Sequence, residues 1–148
     1  MKAPATFPFV VVRLGAERYG FDVAAVREVV AVGTLASVPA RSSAVRGLIP
    51  SRERFLPVVS LAALLSGGPP PVEPGPSALV VLHGGAEVAL EVDEVESVVD
   101  GDAEYVGAAT GTLPARGVWR WREGGALVTV LDVAQLAERV NTLEEAER

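Results

Sequence analysis

Two stretches of this chain repeat one another, and that repeat limits the possible folds more than any other feature. Setting FVVVRLGAERYGFDVAAVREVV (9–30) above ALVVLHGGAEVALEVDEVESVV (78–99) gives an offset of 69 residues. It aligns Val10–Val12 with Leu79–Val81, Gly15 with Gly84, Val23 with Val92, and VREVV (26–30) with VESVV (95–99). Later anchors keep the order: RGLI (46–49) faces RGVW (116–119) at offset 70, and VVSLAALL (58–65) faces VLDVAQLA (130–137) at offset 72. Ordered anchors at nearly constant spacing mark two copies of one structural unit. A chain of 148 residues then holds two very small units, each marginal alone, which gain a core by packing together.

Each unit reads as short strands separated by turn residues. A β-rich run (Phe9–Leu14) meets a turn at GAER, and YGFDV closes a hairpin. AAVREVV is short enough to be one helical turn leading into a strand. VRGLIPSRERFLPVVS then gives a strand, a polar turn at 50–54 and a second strand. After each final strand comes a helix signal. Ser60 precedes LAALL, and Asp132 precedes VAQLAERV with Gln135 three residues on. Val133, Leu136, Ala137, Val140 and Leu143 share one face of the second helix. Between the copies, SGGPPPVEPGPS (66–77) carries five prolines and three glycines and reads as a linker. The expected architecture is mostly β: two small five-stranded barrels packed together, with a C-terminal helix. The boundaries are a first unit at 7–65, the linker at 66–77, a second unit at 78–131 and the helix at 132–146.

Composition narrows the class. With 49% apolar and 22% charged residues the chain is globular in type, not disordered. It has no cysteine, which excludes disulfides and thiolate metal sites. MKAPATFPFVVVRLG lacks the pattern of a signal peptide, and no window approaches the roughly 18 apolar residues of a membrane span. The expected location is therefore cytoplasmic, with no direct membrane insertion. Net charge is −6, unevenly spread: residues 1–75 carry eight basic and five acidic side chains, and residues 76–148 carry five and fourteen. An acidic chain with one lysine is a poor partner for nucleic acid.

Taken together, FVVVRLGAERYGFDVAAVREVV, VP (38–39), VRGLI with Arg52 five residues past Gly47, LPVVSLAALL, VALEVDEVESVV and ALVTVLDVAQL resemble the CheW-like family. These are coupling proteins of bacterial chemotaxis-type signalling arrays, and the resemblance covers about residues 7–140. It implies two barrels of the Src-homology-3 type and a non-catalytic adaptor without cofactor or metal. The implied partners are the cytoplasmic tip of a methyl-accepting chemoreceptor and the regulatory domain of a CheA-type histidine kinase. By position, Val26 and Glu28 match the family's kinase-facing surface, and Gly47 and Arg52 match residues tied to receptor coupling. Two departures stand out. The family's Asn-Leu-Arg-Gly turn is Pro50-Ser51-Arg52-Glu53 here, so the glycine is lost, and the aspartate after PVV is Ser60. A divergent member binding only the kinase or another regulator is one alternative.

Other readings compete for the remaining residues. The carboxylates from Glu87 to Glu104 form a run without a base, and Asp100, Asp102 and Glu104 alternate as in a cation site. A small acidic metal-binding module or enzyme is thus a second alternative, although a solvated strand face explains the run more simply. Val26 also suits a core position. Gly47 recurs as Gly117, which favours a backbone requirement. Trp119 and Trp121 alternate with arginines, and an indole packed between the barrels is expected. His83, the sole histidine, sits at a hairpin turn.

Overall fold

A computed structural model describes residues 7–37, 44–83 and 85–146, with the side chains of 83 and 140–146 outside the described set. The VP motif at 38–39, Gly84, and the side chains of His83, Val140 and Leu143 therefore lie beyond it. Eleven strands and two helices are described. They are β1 (Phe9–Leu14), β2 (Glu17–Asp22), β3 (Val26–Ala31), β4 (Val45–Ser51), β5 (Arg54–Ser60), α1 (Leu61–Ser66), β6 (Ser77–His83), β7 (Ala86–Val92), β8 (Glu94–Val99), β9 (Ala103–Gly107), β10 (Ala115–Trp121), β11 (Leu127–Leu131) and α2 (Val133–Ala146). The segment AAVREVV resolves into a 3-10 turn at Val23–Ala25, capped by the Asp22 carboxylate on the Ala24 amide, followed directly by β3.

The repeat holds at the level of strand register. In the first hairpin Val10 pairs with Phe21, and 69 residues on Leu79 pairs with Leu90. The bulge that skips Arg27 between β3 and β6 recurs as the one that skips Glu96 between β8 and β1. A second bulge, at Arg46 in β4, recurs at Arg116 in β10.

The sheets are cut differently from the sequence. One runs β8-β1-β2-β11-β10-β9 and the other β3-β6-β7-β5-β4, so each takes its central hairpin from the opposite half of the chain. The connections explain why. Between β2 and β3 lies only the 3-10 turn, and between β7 and β8 only Asp93, so each hairpin is followed by a redirection instead of a third meander strand. The chain divides at 66–77 in sequence, while the sheets divide after Asp22 and after Val92.

The expected closed barrels are only partly closed. In the five-stranded sheet a single bridge, Ala36 to Leu48, carries the chain after β3 back to the edge strand β4. In the other sheet the corresponding strand bends at Asp100–Asp102, where Gly101 takes a φ of 79°. That bend separates β8 from β9 and makes six strands of the expected five.

Three apolar clusters follow from this arrangement. Phe9, Val11, Trp119 and Val130 fill the six-stranded sheet, and Ile49, Val58, Ala78 and Val80 fill the other. Val10, Val12, Phe21, Leu79, Leu90 and Leu64 form a third cluster between the sheets. Strands β1 and β6 thus bury both faces, which is why they read as unbroken apolar runs. Trp119 lies inside the six-stranded sheet, edge-on to Tyr105 at 5.0 Å, and not between the barrels as expected. Gly117 leaves room for the indole, since a Cβ there would stand 3.1 Å from it.

Both helix signals are realised. The Ser60 hydroxyl accepts from the Ala63 amide at 3.1 Å, and the Asp132 carboxylate accepts from the Gln135 amide at 3.1 Å. Gly67, at φ 74°, ends α1. Among the described residues no helix is long and apolar enough to cross a membrane.

The charge asymmetry has a structural meaning. Arg13, Arg18, Arg46 and Arg54 of the first half pair with Asp93 and Glu94, Glu96, Glu91 and Glu87 of the second. The acidic run is therefore largely neutralised by arginines of the same chain, and Glu91 is buried, contrary to the expected solvated face. Among the described residues no group of three or more histidine or carboxylate side chains is placed to hold a metal ion.

A candidate docking face around the β4–β5 turn

Ser51 pairs with Arg54, so Arg52 and Glu53 form a two-residue hairpin turn. Arg52 has a φ of 58°, and it is the one non-glycine residue with positive φ among those described. Positive φ at the first central position alone is the pattern of a type II′ turn, where glycine is preferred. Arg52 thus carries the backbone demand that glycine meets in such a turn. Holding an L-residue there costs roughly 1–2 kcal/mol.

The strain is not repaid by a strong contact. The Arg52 guanidinium lies 3.8 Å from the Glu28 carboxylate, and its side chain is 84% exposed. An exposed ion pair of this length contributes about 0–1 kcal/mol. The turn therefore holds a guanidinium in solvent at a small net cost in stability. Such outliers cluster at binding sites, where the strain is part of the function.

That ion pair also joins the two groups of residues singled out from sequence. Glu28, half-buried on β3, and Arg52, at the β4–β5 turn, sit on one face because the Ala36–Leu48 bridge brings β3 and β4 round to each other. Val26 is elsewhere: partly buried, it packs against the cluster between the sheets. Gly47 is buried, with a φ of 147°, and a Cβ there would come within 2.5 Å of the Ala36 carbonyl oxygen. What Gly47 supplies is backbone: it lets the chain after β3 close against β4.

Two apolar side chains close in sequence to these residues are also exposed. Val29, next to Glu28, is 50% exposed, and Phe55, paired across the hairpin with Pro50, is 63% exposed. An exposed aromatic on the same hairpin as an exposed arginine has the composition of an interface. Period-two alternation along VREVVA turns Arg27 and Val29 outward and Glu28 inward, so Val29 lies on the opposite side of β3 from Glu28. Among the described residues, Tyr19, on β2, is the one group with a displaced pKa: burial, and then the Glu17 charge, push its phenol above the usual 10.

The comparisons with known proteins agree with this architecture. A family model described as the CheW-like domain matches residues 8–141. Among solved structures, the scaffolding protein TtCheW from Thermoanaerobacter tengcongensis is similar in fold, with a TM-score of 0.70 at 23% identity. The alignment covers 90% of this chain and 89% of that one. A comparison with curated protein sequences gives no match. Because the family model spans nearly the whole length, from the first strand through the repeat and linker into α2, this chain belongs to the CheW-like family.

Proposed function

We propose that this protein is a non-catalytic adaptor that couples chemoreceptors to a CheA-type histidine kinase in the cytoplasm. The observation that carries this reading is the β4–β5 turn: an arginine held at φ 58° and 84% exposed, with the exposed Phe55 on the strand that leaves the turn. A strained, solvent-facing guanidinium on a hairpin that also exposes an aromatic ring suits a carboxylate-bearing protein surface. Family membership supplies the partners, a receptor tip and a kinase regulatory domain. Glu28 anchors the same face from β3, and Gly47 sets the hairpin's shape from beneath. Coupling is then mechanical: the two partners bind one rigid double-sheet body, and a shift at one is passed to the other.

The test measures binding to a receptor-tip fragment and to a CheA-type regulatory domain separately. Arg52→Glu reverses the charge at an exposed position and leaves the core untouched. It is expected to weaken at least one of the two associations about 10-fold or more, in the range of a hot-spot loss. Retention of both at wild-type affinity would remove this face from the site. Loss of one alone identifies which partner the turn serves.

A further inference from the structure

Four ladders join the first half of the chain to the second, two in each sheet: β1 with β8 and β2 with β11 in the six-stranded sheet, β3 with β6 and β5 with β7 in the five-stranded one. We propose that two copies of this chain exchange halves at high concentration, residues 7–66 of each pairing with residues 77–146 of the other, to give a closed twofold dimer.

Neither half retains a complete sheet by itself. Within the first, the ladders are β1 with β2 and β4 with β5, plus the Ala36–Leu48 bridge. Within the second they are β6 with β7 and the set β9-β10-β11. Isolated two-stranded hairpins are marginal in water, so each half must find its complement. The halves are also charge-matched: four first-half arginines meet second-half carboxylates, and Arg116 returns one pair to Asp22. None of these contacts requires that the two halves belong to one molecule.

The linker is built as a hinge. Its far end is fixed by the Val32 amide on the Pro76 carbonyl at 2.9 Å and by Arg46 on the Glu73 carbonyl at 3.2 Å. In an exchanged dimer those bonds re-form between copies, leaving Gly67–Val72 to change path. Val72 is 93% exposed, and Pro69–Pro71 favour extension over folding back. Closure within one chain is favoured by an effective concentration on the order of millimolar, so exchange competes when the protein itself approaches that range. The product would display two Arg52 turns on one body. The proposal is independent of which partner those turns bind.

Because the chain has no cysteine, one engineered pair reports the exchange. Arg13 and Glu94 face each other in the β1–β8 ladder. Full-length Arg13→Cys and Glu94→Cys chains are unfolded, mixed and refolded under oxidation, once near millimolar and once near micromolar concentration. A disulfide linking the two chains is expected at the higher concentration and not at the lower. Arg13→Cys mixed with Arg120→Cys, which is out of register, should not link. Failure of the in-register pair to link, or equal linking by the out-of-register pair, overturns the proposal. If the substitutions impair folding, the unaltered chain decides by light scattering. A dimer that survives dilution and reverts only through unfolding supports exchange; a monomer, or a dimer that separates on dilution, overturns it.

Discussion

The bulged arginine of β4 and that of β10 occupy the same place in the two copies, yet one is buried and the other is wet. Arg46 forks onto Glu91 at 2.9 and 3.2 Å, with side chains only 11% and 5% exposed. Arg116 reaches Asp22, the residue 69 before Glu91, at 3.2 Å, with exposures of 43% and 31%. The linker makes the difference. It lies against Arg46 through the Glu73 carbonyl, and Gly75 packs so tightly on the Val92 carbonyl that a Cβ would not fit. Arg116 instead has the Phe7 ring beneath it, 4.1 Å from the guanidinium carbon. Duplication fixed which side chains pair; the chain passing over them fixed what each pair is worth.

The largest effect that sharpens this contrast is at the buried pair. Glu91→Ala leaves Arg46 uncompensated in a dry site and is expected to cost about 3–5 kcal/mol. Arg116→Ala removes an exposed pair and a cation–π contact, together about 1 kcal/mol. Denaturant midpoints of the two variants check the difference. Equal losses would show that the linker does not dry the first pair.

The two sheet interiors differ in the same instructive way. Phe9 and Gly20 in one correspond to Ala78 and Ala89 in the other, and Trp119 corresponds to Ile49. A Cβ on Gly20 would sit 3.0 Å from the Phe9 ring and 3.1 Å from Val128 and Val130. Large has been exchanged for small across one pair of strands. Gly20→Ala is therefore expected to cost about 1–3 kcal/mol through overpacking. In a Phe9→Ala background, which imitates the other interior, the same change should be neutral or slightly stabilising. A double-mutant cycle reads the coupling, and simple additivity would mean that Gly20 serves some purpose other than room for the ring.

Much of this was legible before any coordinates, because alternation, caps and the repeat are local in sequence. FVVV and ALVV announce strands, and Ser60 and Asp132 announce helices, by chemistry acting within four residues. What could not be read is which copy each hairpin completes. The offsets are the same whether hairpins stay with their own half or change over, and only the length of the connection after Asp22 or Val92 decides. The pairing of the acidic run was hidden for the same reason: its arginine partners lie some 30 to 80 residues away and adjoin only once the hairpins have changed sheets. At the candidate site, Arg52 and Glu28 were visible as residue types. Alternation along VREVVA carries the outward position of Val29, but Phe55 was not visible, since exposure of an apolar side chain at a strand end is a property of the assembled surface.

The smallest expected effect separates strain from recognition at the two hairpin tips. Arg52 and Arg122 correspond at offset 70, but the second tip is two residues longer, and Gly124 and Gly125 take its positive φ angles at 83° and 72°. In the first tip the arginine takes that role itself. Arg52→Gly should relieve the backbone, lose only the weak pair with Glu28, and stabilise the protein by about 0.5–1 kcal/mol. Arg122→Gly, with no strain to relieve, should be neutral or cost up to about 1 kcal/mol from added backbone freedom. Thermal unfolding of both variants measures the sign. If Arg52→Gly stabilises and at the same time weakens partner binding, the arginine is kept against the interest of the fold and in that of the interface. If it destabilises as Arg122→Gly does, the turn is unstrained, and the argument for a presented guanidinium loses its physical basis.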